Sequence, residues 1–365
     1  MAREMHRTAR GRGSQIRPAN RFEGLSAEED FEHLESDPEA LDEHLTALRN
    51  LPTEYLPDHA RSVVVKNESP DIPFSYSLNP YRGCQHGCSY CYARPTHEYL
   101  GLDAGLDFEA KILVKHDAPD LLRAFLSKPG WVPEPIVMSG VTDPYQPGER
   151  QFRITRGCLE VMAAFKQPVS IITKNALILR DRDLLESLAS ESLIHVNLSV
   201  TTLNADLSRS MEPRTSTPLA RLRTIRALSE RGVPVRVLIA PVIPGFNDTE
   251  IPAILQAARD AGALHAGYQI LRLPLAVAPI FLDWLDREQP SRRSKVEQRL
   301  RSMRGSRLNT TEFGKRMRGE GEIADGIRDL FRLFARQCDL DGGLPPHDTS
   351  RFRRPPSDAE QLWLF

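Results

Sequence analysis

Lysine is scarce in this chain, with 8 residues against 40 arginines among 365. The 49 acidic residues balance that charge to a formal −1, which excludes a protein held to nucleic acid over its whole surface by bulk electrostatics. Long apolar runs are also missing. The longest, Val233 to Val242 and Ile270 to Ile280, are short or broken by proline and arginine, so no membrane span is expected. The opening residues Met1 to Arg7 carry charge and no apolar stretch, so no secretory signal is expected and a cytoplasmic location follows. Cysteine is limited to five residues, and nothing points to the oxidising compartment that a disulfide framework needs.

What is present is concentrated. Three of the five cysteines fall in the stretch Asn79 to Arg94, which reads Asn-Pro-Tyr-Arg-Gly-Cys-Gln-His-Gly-Cys-Ser-Tyr-Cys-Tyr-Ala-Arg. Cys84, Cys88 and Cys91 have the spacing Cys-x3-Cys-x2-Cys. Three thiolates on a tight loop hold three irons of a cubane cluster and leave the fourth iron without a protein ligand. An open metal position is where chemistry takes place. Gly83 and Gly87 let such a loop wrap closely without Cβ clashes. A zinc site completed by His86 or His97 is the competing reading, although three cysteines within eight residues leave awkward room for a tetrahedral fourth ligand.

Residues 1–61 read as a flexible arm, basic through Arg21 and acidic from Glu23 to Asp58, with order expected from Ser62. Strands are expected at Ser62–Val65 and Phe74–Leu78, then at Ile136–Ser139, Val169–Thr173, Ile194–Thr201, Val233–Ala240 and Gly267–Leu273. Helical stretches separate them near Asp117–Leu126, Thr155–Phe165, Asp181–Ala189, Pro218–Glu230 and Glu250–Ala261, the fourth with Leu219, Leu222, Ile225 and Leu228 at helical spacing. Such alternation gives parallel strands with right-handed helical crossovers, but periodicity does not separate an open sheet from a barrel. The main domain is placed at 62–300, with an exposed, arginine-rich helix from Phe281 to about Arg304. A helical extension at 301–340 follows, and then a tether at 341–365.

The cysteine spacing, with Tyr90 just before the last cysteine, resembles the radical S-adenosylmethionine (SAM) superfamily. The resemblance implies a partial, six-stranded (β/α)6 barrel in the α/β class, with the small helical C-terminal extension and flexible termini added to it. It implies a [4Fe-4S] cluster on Cys84, Cys88 and Cys91, with SAM chelating the fourth iron and being cleaved to a 5′-deoxyadenosyl radical. It further implies a flavodoxin- or ferredoxin-type reductant. Where the family carries Gly-Gly-Glu for the SAM ammonium group, the nearest equivalents are Ser139, Gly140, Thr142 and Asp143. Lys174 ends the next strand as a partner for the SAM carboxylate, and Ser199 and Thr201 end the fourth. Ile243 matches the family isoleucine that packs on adenine, and Tyr92 is expected to add a backbone contact there.

The cysteine stretch and the segment Thr142-Asp143-Pro144-Tyr145-Gln146-Pro147 look most like the spore photoproduct lyase branch, which implies action on DNA or a nucleobase. That lyase returns a hydrogen atom from a cysteine. Neither Cys158 nor Cys338 maps onto it by motif, and each reads as a small buried hydrophobe. Action on RNA, a peptide or a metabolite remains open, as does an iron–sulfur sensor or electron carrier. At the end, Gln361, Leu362, Leu364 and Phe365 resemble the peptides by which bacterial polymerases and repair proteins bind the DNA sliding clamp.

Overall fold

The computed structural model describes residues 9–23 and 50–355. Most of the acidic stretch and the clamp-like peptide at Gln361–Phe365 lie outside the described residues. Strands β1 (Glu54–Pro57), β2 (Val64–Lys66), β3 (Tyr76–Leu78), β4 (Tyr81–Arg82) and β5 (Lys111–Val114) precede β6 (Ile136–Met138), β7 (Val169–Thr173), β8 (Ile194–Ser199), β9 (Val235–Val242) and β10 (His265–Ile270). The large sheet has the order β10-β9-β8-β7-β6-β3-β2. Its run from β3 to β10 is parallel throughout, and β2 pairs antiparallel on the outer edge. These are the six parallel strands of the expected partial barrel, in sequence order, with β2 added.

Helices α1 (Leu106–Ala110), α2 (Ala118–Leu126), α3 (Glu149–Phe152), α4 (Ile154–Phe165), α5 (Arg182–Ser190), α6 (Ala205–Met211), α7 (Pro218–Ser229) and α8 (Ile251–Asp260) fill the crossovers. Thr217 and Pro218 start α7 where the sequence places its boundary: the Thr217 hydroxyl accepts from the Ala220 N–H, and Pro218 occupies the first turn, where no N–H is needed. The strands are β-branched and alternate in burial. Val169 and Ile171 of β7 are buried in the main core, while Ile172 lines the cavity within the barrel, as do Leu238 and Ala240 of β9.

Four expectations are corrected. Order begins before Ser62, because β1 pairs parallel with β5. Residues 9–23 are not a loose arm: Arg12 and Ser14 are buried, and Arg12 Nη1 donates to the Glu109 carbonyl at 2.5 Å. Phe281 to Arg304 is not one exposed helix but two, α9 (Val277–Glu288) and α10 (Arg293–Ser302), with Phe281, Trp284, Val296 and Leu300 forming a buried stripe beneath the arginines. Finally, 341–355 is no tether. Helix α11 (Glu322–Gln337) packs on α8 and sets Phe331 against Tyr268 of edge strand β10, the rings tilted by 40°. The chain then returns under the sheet, where His347 stacks on His195 at 3.7 Å and Arg353 N–H donates to the Phe165 carbonyl. The Gly- and Pro-rich composition of this stretch marks turns rather than freedom. Among the described residues no helix is long and apolar enough to cross a membrane.

Candidate active site

Residues 79–94 leave the C-terminal end of β3 and cross the mouth of the barrel, the end at which barrel sites form. The turns need glycine: Gly83 (φ +79°) and Gly87 (φ +64°) are left-handed. Two buried carboxylates hold this loop from opposite sides. Glu109 accepts Arg94 Nη2 at 2.5 Å, and Arg94 in turn donates to the Cys88 carbonyl through Nε at 3.1 Å and Nη2 at 2.9 Å. The same carboxylate accepts the backbone N–H groups of Gly13 at 2.9 Å and Ser14 at 2.8 Å. A Cβ at position 13 would stand 1.6 Å from the Gly87 carbonyl oxygen, so only glycine lets the N-terminal strap lie this close.

Across the loop, Glu212 accepts from the Tyr90 hydroxyl, from Thr201 Oγ1 at 2.8 Å and from Arg221, which is as buried as the carboxylate. Burial opposes its ionisation, but Arg221 and Lys174 hold its carboxyl down at about 2. Ser89 N–H donates to the Met211 carbonyl beside it. The Glu212 carboxylate thus fixes the loop through Tyr90, while the Arg214 side chain donates to the Gly11 carbonyl of the N-terminal strap.

Cys84, Cys88 and Cys91 are free thiols on one wall of a cavity of about 210 Å³. Burial pushes the Cys88 thiol well up and Cys91 to about 11, so both need a cation to become thiolates. Among the described residues, no three His, Cys, Asp or Glu side chains converge on a single-ion site, as the zinc reading would require. A cluster asks for something different, since each thiolate binds a different iron.

The facing walls collect most of the expected SAM residues: Tyr92, Ser139, Gly140, Thr142, Asp143, Lys174 and Ser199. Their engagements separate them. Asp143 is saturated: its carboxylate accepts from Thr173 Oγ1 at 2.7 Å and from the N–H groups of Lys174 and Tyr145 at 2.8 Å each, and lies 3.3 Å from His86 Nδ1. Thr142 Oγ1 donates to the Gly83 carbonyl at 2.6 Å. Both therefore brace the cysteine loop. Ser139 (φ 148°) and Gly140 (φ 141°) have an unusual backbone, and the Tyr92 hydroxyl donates to the Gly140 carbonyl at 2.7 Å. Lys174 Nζ donates to the Ala240 carbonyl at 3.0 Å and lies 3.8 Å from Glu212. Ser199 is buried on the cavity wall.

Thr201 and Ile243 are the exceptions. Thr201 is engaged by Glu212 and does not line the cavity. Ile243 is fully buried in an apolar layer with Cys88, Tyr90 and Leu271 and does not line the cavity. Its N–H donates to Asn247 Oδ1 at 2.6 Å, which turns the chain inward and leaves Leu238, Ala240 and Pro241 at the wall. Sequence reading also missed Gln269, near the end of β10, and Arg272, just beyond it, which line the cavity. No spacing signals them. Among the described residues, no cysteine beyond the three of the loop lines the cavity: Cys158 lies in the helix-side core, and Cys338 donates to Gln256 Oε1 at 3.6 Å.

The radical SAM superfamily profile matches residues 78–258, from the end of β3 into α8. Those residues are a radical SAM domain. An uncharacterised Mycobacterium tuberculosis protein is 37% identical over 221 residues, 60% of this chain and 65% of that protein. An uncharacterised Methanocaldococcus jannaschii protein is 33% identical over 175 residues, 48% of this chain and 63% of that protein. The chain thus spans somewhat less than two thirds of the length of the curated relatives it matches. A spore photoproduct lyase variant with bound AdoMet and dinucleoside spore photoproduct shares the fold, with a TM-score of 0.57 at 15% identity, over 79% of this chain and 84% of that one.

The cofactors of a radical SAM domain are a [4Fe-4S] cluster and SAM. The residues present fit them: three reduced thiols on one wall, and small or polar strand ends, with one lysine, on the other.

Proposed function

We propose that this chain is a radical SAM enzyme that reductively cleaves SAM and acts on DNA or a nucleobase, in the manner of a repair lyase. The observation that carries it is the placement of three reduced cysteines across one small cavity from the strand-end residues Ser139, Lys174 and Ser199. When bound, the reduced cluster supplies the electron that splits SAM into methionine and a 5′-deoxyadenosyl radical. The protein's share is binding and exclusion of water. Cys84, Cys88 and Cys91 hold three irons, Lys174 faces the SAM carboxylate, and Ser139 and Gly140 offer backbone groups to its ammonium end. Leu238, Ala240 and Pro241 give the adenine an apolar wall. A flavodoxin- or ferredoxin-type protein supplies the electron. The nucleic-acid substrate class rests on the shared fold of a lyase seen with a dinucleoside photoproduct.

Anaerobically reconstituted, reduced protein should release 5′-deoxyadenosine from SAM, and deuterium from a labelled oligonucleotide should appear in it. Cys88→Ala should abolish both this product and the absorbance near ~400 nm of thiolate-bound iron–sulfur. No product from protein with an intact cluster would leave a sensor or electron carrier. Product without deuterium transfer would move the substrate elsewhere. The peptide Gln361–Phe365 is proposed to deliver the enzyme to DNA through the sliding clamp. Deleting it should abolish clamp pull-down and leave SAM cleavage intact, and an unchanged pull-down would remove that partner.

A further inference from the structure

One stretch in the C-terminal part of the chain carries a marked excess of positive charge. Residues 292–318 hold ten arginines and lysines against two acidic residues, Glu297 and Glu312, so the rest of the chain is net acidic. Several of these cations are committed internally: Arg299 to Asp248, Arg301 to Glu297 and Arg316 to Asp71. Arg292, Lys295, Arg307 and Arg318 are exposed, and none has a carboxylate within ion-pair distance among the described residues. Leaving four like charges uncompensated along one segment favours the binding of an anion.

This stretch stands at the mouth of the active site. The buried stripe Val296 and Leu300 of α10 shares an apolar layer with Cys88, Tyr90 and Leu271. The segment after α10 is pinned to the end of β10, where Ile270 N–H donates to the Met317 carbonyl at 3.0 Å and Arg304 donates to the carbonyls of Leu271 and, at 2.7 Å, Leu308. The residues following that strand, Leu271 and Arg272, line the cavity. On the same segment Phe313 is 56% exposed, with the Arg316 guanidinium 4.6 Å above its ring. Exposed cations beside an exposed aromatic ring are what a nucleic-acid strand uses, phosphates on the former and a base stacked on the latter.

We propose that residues 292–318 form the surface on which a nucleic-acid strand docks to present a base to the cavity. Arg292, Lys295, Arg307 and Arg318 contact phosphates, and Phe313 stacks a base. The proposal rests on the nucleic-acid reading above and adds where the strand lies.

The test compares the full chain with a variant carrying Arg292→Gln, Lys295→Gln, Arg307→Gln and Arg318→Gln. A second variant carries the same charge change at exposed arginines elsewhere: Arg209→Gln, Arg223→Gln, Arg231→Gln and Arg332→Gln. Fluorescence anisotropy is read with labelled single-stranded DNA, single-stranded RNA and duplex DNA over a salt series, with the unfolding midpoint as a check on folding. The first variant should bind at least about tenfold more weakly, and its log affinity against log salt slope should fall by about 3, as four lost phosphate contacts require. The second variant should bind like the parent. Equal losses in both variants, or none in the first, would overturn the placement while leaving the substrate class standing. A parent protein that binds none of the three probes would sink the nucleic-acid reading itself. Which probe binds tightest identifies the source of the phosphodiester, and stronger duplex than single-strand binding would overturn the stacking role of Phe313.

Discussion

Glu109→Ala is expected to lower the free energy of unfolding by about 3–5 kcal/mol, because it leaves the Arg94 guanidinium buried without its counter-charge. Both side chains of the pair are 0% exposed, so solvent screening does not soften the loss. Two further donors lose their acceptor, the N–H groups of Gly13 and Ser14, and Arg94 loses the partner that orients its grip on the Cys88 carbonyl. The consequence reaches the proposed cluster site, since Cys88 is a proposed ligand and its carbonyl is held by Arg94. Iron bound per chain after reconstitution should therefore fall with stability. Chemical unfolding and iron content of Glu109→Ala measure this against Arg209→Ala, an exposed pair member on α6 expected to change stability by less than about 1 kcal/mol. A Glu109→Ala protein as stable and as iron-rich as that control would show that the strap and Arg94 are bystanders.

The strap also marks where sequence reading reaches its limit. The radical SAM loop was legible because three cysteines, two glycines and a tyrosine lie within eleven residues, 82–92, a spacing that stands out whatever surrounds it. The parallel strands were legible because both faces are covered, so each reads as a short apolar run bounded by turn residues. Residues 9–23 gave no such signal. Arginine, glycine and polar residues read as solvated, and only the distant Glu109 makes Arg12, Gly13 and Ser14 a packed element. Residues 341–355 misled for the same reason, being fixed by partners such as His195 and Phe165 that no local pattern predicts. At the site, the motif placed Ile243 on the adenine, whereas here it is buried beside the cavity without lining it, with its N–H bonded to the Asn247 side chain four residues on. Contacts between positions far apart in sequence carry no period.

Glu212→Gln should cost a similar amount at neutral pH, and its cost should depend on pH in a defined direction. The carboxyl is held at about 2 in the folded chain, against an ordinary value of 4.5. Because the folded value is depressed, the stabilisation is fully present above about pH 4.5 and is lost as pH falls towards 2. The difference in unfolding free energy between parent and Glu212→Gln should therefore be full at pH 6, about 3–5 kcal/mol for uncovering the buried Arg221, and narrower by about 2 kcal/mol at pH 3. Trp284 reports on it, since its indole N–H donates to the Ser210 carbonyl, two residues before Glu212. A gap of the same size at both pH values would mean that the carboxylate is not charged against Arg221 and Lys174. The effect at the site follows from Tyr90, which sits between Cys88 and Cys91, two of the proposed ligands, and donates to Glu212. With the amide in place, Lys174 also loses the anion that lies 3.8 Å away and is left paired only with the Ala240 carbonyl, so the cavity becomes more positive. The affinity for SAM, whose carboxylate Lys174 is proposed to meet, should then change even in variant protein that retains its iron.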